Sequence, residues 1–145
     1  MQIKTLDNIN NVQMSQLMAI WLAGNLQAHD FVPAAFWQEN AAAVRKSLPN
    51  ATITVAVNPD GQIVGFIGLQ KDYIAGLFVA AKYQNQGIGH QLLAFVKHQQ
   101  TVLVLDAFEQ NTGAVRFYQR NGFVIAERRV EGDTHQTEYQ MVWHR

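Results

Sequence analysis

Ile74-Ala75-Gly76-Leu77-Phe78-Val79 is an apolar run that predicts a β-strand, and a short loop separates it from Gly87-Ile88-Gly89, which opens an amphipathic helix. Glycines at such a junction let the backbone turn tightly. The first turn of a helix carries N–H groups without an internal partner, and the helix dipole adds partial positive charge there. The stretch from Ile74 to Leu93 therefore predicts an anion site, best suited to phosphate.

Two familiar phosphate-binding loops do not fit this junction. No Gly-Lys-Ser/Thr follows, so the lysine and the magnesium-binding hydroxyl of a nucleoside triphosphate site are missing. A third glycine at dinucleotide spacing is missing too. The Gly-x-Gly alone leaves two readings open, a phosphate site and a simple turn that needs glycine for its backbone angles.

The composition indicates one globular domain, residues 1–145. Apolar residues make up 48% of the chain and charged residues 15%, against about 25% in an average domain. The 11 basic and 11 acidic side chains cancel, which argues against a nucleic-acid partner. The lack of cysteine excludes disulfides and a cysteine nucleophile. No apolar run approaches the ~20 residues of a membrane span and no secretory signal is evident, so we expect a cytoplasmic protein without a membrane partner.

Hydrophobic periodicity predicts the element order β-α-α-β-β-β-α-β-α-β-β. We expect Asp7 or Asn8 to cap the first helix. Gly24 is expected to end that helix at about Ala23. Pro33 suits the first position of the second helix, because its fixed φ is helical and its missing N–H is not needed there.

The strands around the opening stretch predict a mixed α/β fold. Gly76 suggests a β-bulge within the strand Tyr73–Val79. The continuous apolar run Val102-Leu103-Val104-Leu105 is typical of a strand covered on both faces, as expected for a parallel partner reached by a crossover helix. The predicted fold class is a mixed, mostly antiparallel sheet with one βαβ crossover and helices on both faces.

Two segments resemble the signature motifs of one enzyme family. Gln84-Asn85-Gln86-Gly87-Ile88-Gly89 is similar to an Arg/Gln-x-x-Gly-x-Gly/Ala loop, and the segment from Asn111 to Phe123 is similar to Asn-x-x-Ala-x-x-(Phe/Leu)-Tyr-x-x-x-Gly-Phe. Both motifs belong to the GNAT (GCN5-related N-acetyltransferase) family, and the element order extends the resemblance over essentially the whole chain. The pattern Trp21…His29-x-Phe31…Trp37 further resembles small bacterial members of that family.

The resemblance implies acetyl-CoA (coenzyme A) as the cofactor and transfer of its acetyl group to a primary amine, carried by a small molecule or by a lysine or the N-terminus of a protein. The diphosphate is expected on backbone N–H groups of the glycine loop, and pantetheine beside the preceding strand. The cofactor-binding residues implied in this way are Leu77, Phe78, Val79, Gln84, Asn85, Gln86, Gly87, Ile88, Gly89, His90, Asn111, Ala114, Phe117 and Tyr118.

Tyr118 matches the position of the family's general-acid tyrosine, which would protonate the leaving thiolate. The alternative is a core tyrosine on an amphipathic helix. A backbone N–H near Leu77 or Phe78, freed by the bulge, is the expected donor to the oxyanion that develops on the thioester carbonyl.

The general base has two main candidates. Asp106 resembles the position of a glutamate base in the family's ribosomal-protein N-terminal acetyltransferases; the alternative is a strand-end residue that caps the next turn. His29 is expected beside Phe31 and Trp37 on the acceptor side, either as a base near pH 7 or as a partly buried histidine bonded to the backbone. Weaker candidates are Glu39 and Tyr73.

The remaining expectations concern metals, assembly and rival functions. No metal site is expected, because His98, His135 and His144 lack partners at metal-ligand spacing. Exposed edge strands in the C-terminal hairpin leave a monomer or a homodimer open. A sensor or scaffold module that binds acyl-CoA without turnover is the alternative from a different class, and an apolar-ligand carrier would rest on the aromatic cluster alone. The presence of Tyr118 together with a candidate base favours catalysis.

Overall fold

The computed structural model describes residues 1–145 and contains seven strands and four α-helices. The strands, numbered in chain order, are β1 (Gln2–Thr5), β2 (Thr52–Val57), β3 (Ile63–Gln70), β4 (Tyr73–Val79), β5 (Val102–Phe108), β6 (Val124–Val130) and β7 (Thr137–His144). The helices are α1 (Asn11–Ala28), α2 (Ala34–Ser47), α3 (Ile88–Lys97) and α4 (Thr112–Arg120). Short 3₁₀ turns occupy Leu48–Asn50 and Ala81–Tyr83.

All seven strands belong to one sheet in the order β1-β2-β3-β4-β5-β7-β6. Every neighbouring pair is antiparallel except β4 and β5, which are parallel and joined by the α3 crossover. The predicted mixed, mostly antiparallel sheet with a single βαβ unit is therefore confirmed. None of the helices is both long enough and apolar enough to cross a membrane.

The first helix differs from the prediction at both ends. Its N-cap is Asn10, whose side chain accepts from the Gln13 N–H at 2.8 Å while the Gln13 side chain accepts from the Asn10 N–H at 2.9 Å. This reciprocal capping box outcompetes a cap at Asp7 or Asn8, because it satisfies two end groups at once.

The C-terminal end of α1 lies at Ala28, so the helix continues through Gly24. A Cβ atom at Gly24 would lie 2.9 Å from Cδ1 of Phe78 on β4. Gly24 is therefore required by close packing of α1 against the sheet and does not end the helix. The connector between α1 and α2 therefore comprises only residues 29–33, and its last residue, Pro33, directly precedes α2.

A bulge in β4 and the divergence of β4 from β5 create a gap in the middle of the sheet. Gly68 pairs with Gly76 and Leu69 pairs with Ile74, which leaves Ala75 as the extra residue of β4. The parallel pair β4–β5 has one matched row, Tyr73 opposite Val104. Beyond that row the two strands diverge, and the facing edge of β4 is left without a strand partner.

The two faces of the sheet carry two separate cores. One core packs α3 and α4 against residues that include Leu103, Leu105 and Met141. The other packs α1 and α2 against residues that include Val55 and Phe66. Full burial of each such aliphatic side chain stabilises the fold by about 1.5–3 kcal/mol. Because side chains alternate along a strand, the residues of β5 opposite in parity to Leu103 and Leu105 face the α1–α2 side.

Candidate active site

The loop Gln84–His90, called the amide loop here, presents a row of unpaired backbone donors. Gln84 N–H bonds to the Ala81 carbonyl and Gln91 N–H to the Gly87 carbonyl, but the N–H groups from Asn85 to His90 find no acceptor in the protein. Asn85 and Gly87 have positive φ angles of 61° and 83°, which turn this backbone sharply just before α3. Unpaired amides at a helix N-terminus are a site for an anion such as a diphosphate.

Two side chains of the amide loop, those of Gln84 and His90, bond to neighbouring elements. Gln84 Nε2 donates to the Val79 carbonyl at 3.0 Å and lies 3.3 Å from Oε1 of Gln27 on α1. His90 Nδ1 lies 2.8 Å from Oδ1 of Asn121 at the end of α4. These contacts hold the loop between α1, β4 and α4, so the loop offers an anion its backbone rather than side-chain charge.

The gap beside β4 is lined by backbone groups of Leu77 and Val79, of which the Val79 carbonyl already accepts from Gln84 Nε2 at 3.0 Å. Ala80 N–H donates to the Val64 carbonyl at 2.8 Å, and Gly65 pairs with Val79. Hydrogen-bonded and non-bonded pairs alternate in an antiparallel ladder, so Leu77 and Val79 direct their N–H and C=O groups away from β3 and into the gap. Phe78 uses its backbone toward β3, which favours Leu77 over Phe78 as a donor to a ligand in the gap.

Tyr118 belongs to the core on the α3–α4 face of the sheet. The neighbouring Phe117 approaches the first turn of α3, since a Cβ at Gly89 would lie 3.4 Å from Cζ of Phe117. Tyr118 packs against the rings of Phe117 and Phe123 and is 8% exposed. Its hydroxyl has no hydrogen-bond partner in the protein and is not sealed from solvent. Burial raises the pKa of Tyr118, so at neutral pH the phenol holds its proton and can donate it.

Asn111 joins the start of α4 to the end of α1. Its Oδ1 accepts from the Ala114 N–H at 3.2 Å as the N-cap of α4, and its Nδ2 lies 3.1 Å from Nε2 of His29. The cap fixes which end of the amide is oxygen, because the Ala114 N–H needs an acceptor. Nδ2 therefore donates one of its two N–H groups to His29, and the other is left for the cofactor that Asn111 is expected to contact.

The contact with Asn111 sets the protonation of His29. Because Nε2 accepts a hydrogen bond, the proton of the neutral ring sits on Nδ1. Nδ1 is buried and has no partner. Burial lowers the pKa of His29, which keeps the ring neutral near pH 7. His29 in this state has no free lone pair with which to accept a proton.

An aromatic pocket surrounds His29 on the α1–α2 side of the gap. His29 stacks on Trp37 with ring centroids 5.1 Å apart, and Phe31 and Phe108 meet it edge-on at 5.6 Å and 5.1 Å. The indole Nε1 of Trp37 is a second buried donor without a partner. The fold thus brings together His29, Phe31 and Trp37, the three residues predicted to line the acceptor side, and adds Phe108 from β5.

Asp106 is the centre of a four-residue carboxylate network that comprises Tyr73, Asp106, Arg129 and Glu138. Tyr73 donates its O–H to Asp106 Oδ2 at 2.9 Å, and Arg129 Nη2 donates to Asp106 Oδ1 at 2.7 Å. Arg129 Nε donates to Glu138 Oε1 at 3.0 Å. Asp106 lies within β5 rather than at a turn, and burial followed by the charge of Asp106 raises the pKa of Tyr73.

Arg129 and Glu138 are the members of this network that sequence reasoning missed. They come from β6 and β7, and only the sheet order sets them beside β5. Burial, followed by the neighbouring Asp106 charge, raises the pKa of Glu138. No local motif surrounds either residue, so no sequence signal could have singled them out.

Other sites on the surface offer no comparable chemistry. A depression of about 420 Å³ at the β1 edge of the sheet is lined by seven residues, of which Lys4 is the one with a charged side chain. No group of three or more histidine, aspartate and glutamate side chains is arranged to hold a metal ion. The β4–β5 gap, with donors along one wall and titratable groups on both sides, remains the candidate active site.

Comparison with known proteins identifies the family of the chain. The pattern that defines the acetyltransferase (GNAT) domain matches residues 49–125, which include β4, the amide loop and α4. The chain belongs to the GNAT acetyltransferase family. Peptidyl-lysine N-acetyltransferase YiaC of Escherichia coli is a relative, 32% identical over 140 residues that span 93% of this chain and 95% of YiaC.

Solved structures of GNAT proteins agree with the fold. The solution structure of apo-form YjaB from Escherichia coli superposes with a TM-score of 0.83 at 29% identity, covering 99% of this chain and 98% of that one. A Bacillus anthracis protein proposed to be a streptothricin acetyltransferase, solved with acetyl coenzyme A, superposes with a TM-score of 0.60 at 28% identity over 67% of this chain and 64% of its own. The protein is an acetyl-CoA-dependent N-acetyltransferase, as its motifs predicted.

Proposed function

We propose that the protein transfers the acetyl group directly to a primary amine within a ternary complex, and that the amine is a lysine side chain of a protein. The observation that carries this proposal is the arrangement around the β4–β5 gap. Tyr118, with an unpartnered hydroxyl, flanks the gap on the α3–α4 side, and the aromatic pocket and the carboxylate network flank it on the other. The names of the relatives YiaC and YjaB, both peptidyl-lysine N-acetyltransferases, support a lysine acceptor.

The residues around the gap fit acetyl-CoA. The unpaired N–H groups from Asn85 to His90 match the need of a diphosphate for donors. The outward N–H groups of Leu77 and Val79 and the outward carbonyl of Leu77 can pair with the amides of pantetheine like an added strand, whereas the Val79 carbonyl is held by Gln84. Acetyl-CoA supplies a thioester whose acetyl group is transferred. We expect the coenzyme to contact the other residues implied by the family motifs as well. These are Phe78, Gln84, Gln86, Gly87, Ile88, Gly89, Asn111, Ala114 and Phe117.

Two groups of the chain would stabilise the charge that develops during transfer. The Leu77 N–H is a fixed donor beside the bulge and can serve the carbonyl oxygen of the thioester; one such donor is worth roughly 3 kcal/mol. Tyr118 holds its proton at neutral pH and can give it to the departing sulfur, a role that typically contributes about 10²–10⁴ in rate.

Asp106 suits the role of general base better than His29. An attacking ammonium must lose a proton before its nitrogen has a lone pair. His29 has one ring nitrogen engaged by Asn111 and the other protonated, whereas the Asp106 carboxylate is ion-paired with Arg129 and 22% exposed. We assign His29, with Phe31 and Trp37, to positioning the acceptor.

The charges and rings near the gap favour a cationic acceptor with an apolar stem. The network of Asp106, Arg129 and Glu138 carries two carboxylates for one guanidinium. The aromatic pocket next to it can pack against methylene groups, as the stem of lysine requires. No comparable feature of the gap favours a small-molecule amine.

The direct experiment is thiol release from acetyl-CoA with a panel that contains lysine peptides and small amines. We expect release with lysine peptides, and a fall of about tenfold or more in turnover for Tyr118→Phe, since general-acid catalysis contributes at least that. Calorimetry should show coenzyme binding to both proteins.

Tyr139→Phe is the matched control, because the Tyr139 hydroxyl is occupied as a donor to Glu109 at 2.8 Å. Coenzyme binding without thiol release on any amine would instead indicate a sensor or scaffold module. Unchanged turnover in Tyr118→Phe would remove the phenol from the mechanism.

A further inference from the structure

We propose that Tyr73 is a catalytic residue: its hydroxyl contacts the acceptor nitrogen and passes the proton of the ammonium to Asp106. This inference rests on the proposed transfer to a primary amine. It assigns to Tyr73 the contact that a direct Asp106 base would otherwise make.

The position of Tyr73 is the first reason. Tyr73 and Val104 form the last matched row of the parallel pair, so the gap opens directly beyond them. Ile74 belongs to the α3–α4 core, and strand alternation turns Tyr73 to the opposite face. Asp106 accepts a hydrogen bond from the Tyr73 hydroxyl at 2.9 Å and lies on the same face of the sheet. Tyr73 thus stands across the sheet from Tyr118, on the side from which an acceptor would meet the thioester.

The occupancy of Asp106 is the second reason. Each of its oxygens already accepts a hydrogen bond, one from Tyr73 and one from Arg129 at 2.7 Å. An amine that reached Asp106 directly would have to displace one of these donors. The phenolic oxygen of Tyr73 still has lone pairs to offer, because its only hydrogen bond in the protein is the one that it donates.

The step balances as a two-proton relay. An N–H bond of the ammonium breaks and an O–H bond forms at Tyr73, while the original O–H bond of Tyr73 breaks and an O–H bond forms at Asp106. The nitrogen keeps the electron pair and becomes the nucleophile, Tyr73 ends as a neutral phenol, and Asp106 ends as a neutral acid. Asp106 is partly exposed, so its proton can then leave to solvent.

The charged groups around Tyr73 come from three strands. Asp106 on β5 and Glu138 on β7 are the acidic groups that act on Tyr73, and Arg129 on β6 is the basic one. Arg129 holds both carboxylates, with Nη2 on Asp106 and Nε on Glu138. Arg129 is therefore a positioning residue that keeps Oδ2 of Asp106 aimed at Tyr73.

Tyr73→Phe removes the relay and keeps the ring. With a lysine peptide at pH 7, we expect its turnover to fall by about tenfold or more, while calorimetry shows an unchanged coenzyme affinity. Tyr139→Phe is the matched control, since it also removes a phenol bound to a carboxylate. Equal turnover of Tyr73→Phe and the wild-type protein would overturn the proposal.

The basicity of the acceptor separates a relay from a structural role. An amine that is already neutral at pH 7, such as trifluoroethylamine, needs no proton acceptor before attack. With this acceptor the loss of turnover in Tyr73→Phe should be smaller than with lysine. With a lysine peptide the loss should also become smaller as the pH approaches the lysine pKa of ~10.4. A defect of the same size with both acceptors and at every pH would mean that Tyr73 only supports the fold.

A spectroscopic readout checks the contact without turnover. In protein labelled with ¹³C at tyrosine Cζ, the Tyr73 signal, assigned from Tyr73→Phe, should shift in Asp106→Asn and titrate at lower pH. An unmoved signal would overturn the relay. If Tyr73→Phe fails to fold, Asp106→Asn takes its place and should show the same dependence on acceptor basicity. Absence of thiol release from the wild-type protein with every amine would count against the proposed function itself.

Discussion

Asn111 shows how a single side chain can fix the chemistry of another. Its amide caps α4 with oxygen and therefore meets His29 with nitrogen. The ring of His29 must then carry its proton on the buried Nδ1. The resemblance to the family implies a cofactor contact for Asn111, and its hydrogen bonds show that it also fixes the tautomer of His29 in the aromatic pocket.

The burial of His29 leads to a prediction about stability and pH. Burial lowers the pKa of His29 in the folded state, so the unfolded chain takes up the proton more readily as the pH falls. The stability that neutral His29 contributes is complete above roughly pH 6.5 and is lost at lower pH. His29→Gln can keep an acceptor toward Asn111 and has no titratable ring. We expect the free energy of unfolding of the wild type to fall more than that of His29→Gln between pH 7.5 and 5, measured in urea.

The exposed residue His98 supplies the control for loss of a histidine as such. If His98→Gln and His29→Gln changed the pH dependence by the same amount, burial of His29 would not be the cause. A parallel fall for the wild type and His29→Gln would contradict the prediction outright.

At the scale of elements, the contact between α1 and β4 controls the geometry of the gap. α1 passes Phe78 so closely that only glycine fits at position 24, and Gln27, in the last turn of the same helix, reaches Gln84 in the amide loop. Phe78 is adjacent to Leu77, whose backbone faces the gap. A displacement of α1 would therefore be felt along both β4 and the amide loop.

Two helical glycines give a matched test of this packing. At Gly113 in α4 an added Cβ meets nothing within 4 Å, so Gly113→Ala should stabilise the protein by up to ~1 kcal/mol through helix propensity. At Gly24 the same gain is offset by overpacking against Phe78, which typically costs about 1–3 kcal/mol. We expect Gly24→Ala to lower Tm and weaken coenzyme binding, and Gly113→Ala to raise Tm, by calorimetry. A higher Tm for both variants would show that α1 and β4 can separate without cost.

At the scale of the whole molecule, charge is nearly absent from the anion site. The chain has equal numbers of acidic and basic residues, and the amide loop carries no lysine or arginine. Backbone amides hold an anion without a net charge, so coenzyme affinity should depend only weakly on salt. A basic side chain in this loop would add an electrostatic attraction for the anionic coenzyme, and salt would screen that attraction.

Gln86→Arg introduces one positive charge into the amide loop. Gln86 is exposed, and its side chain makes a single contact of 3.4 Å, to the Lys82 carbonyl. We expect coenzyme to bind about 2- to 5-fold more tightly at low salt, the size of an exposed ion pair, and the gain to disappear at high salt. Gln99→Arg, at the other end of α3, is the control and should leave affinity unchanged. A gain that persists at high salt, or that appears equally in Gln99→Arg, would contradict the charge argument.

Features that depend on neighbouring residues were predictable, and those that depend on distant ones were not. The glycine loop and the tyrosine motif lie within short segments, and the alternation and apolar runs of the strands are local too. By contrast, Gly24 carries the same local signal as a helix end, and only the proximity of Phe78 reveals its role. The choice of general base also depends on contacts between distant residues, because Asp106 and His29 cannot be told apart as candidates until their hydrogen bonds are known.

The fold class, the family and the predicted place of the anion site follow from the amino-acid sequence alone, because each rests on periodicity or on a motif that short-range backbone geometry explains. Only the tertiary structure decided which groups face each other across the gap. His29 and Asn111 are 82 residues apart, and the carboxylate network draws on four strands. Such contacts follow from sheet order and register, which long-range packing sets and no local pattern encodes.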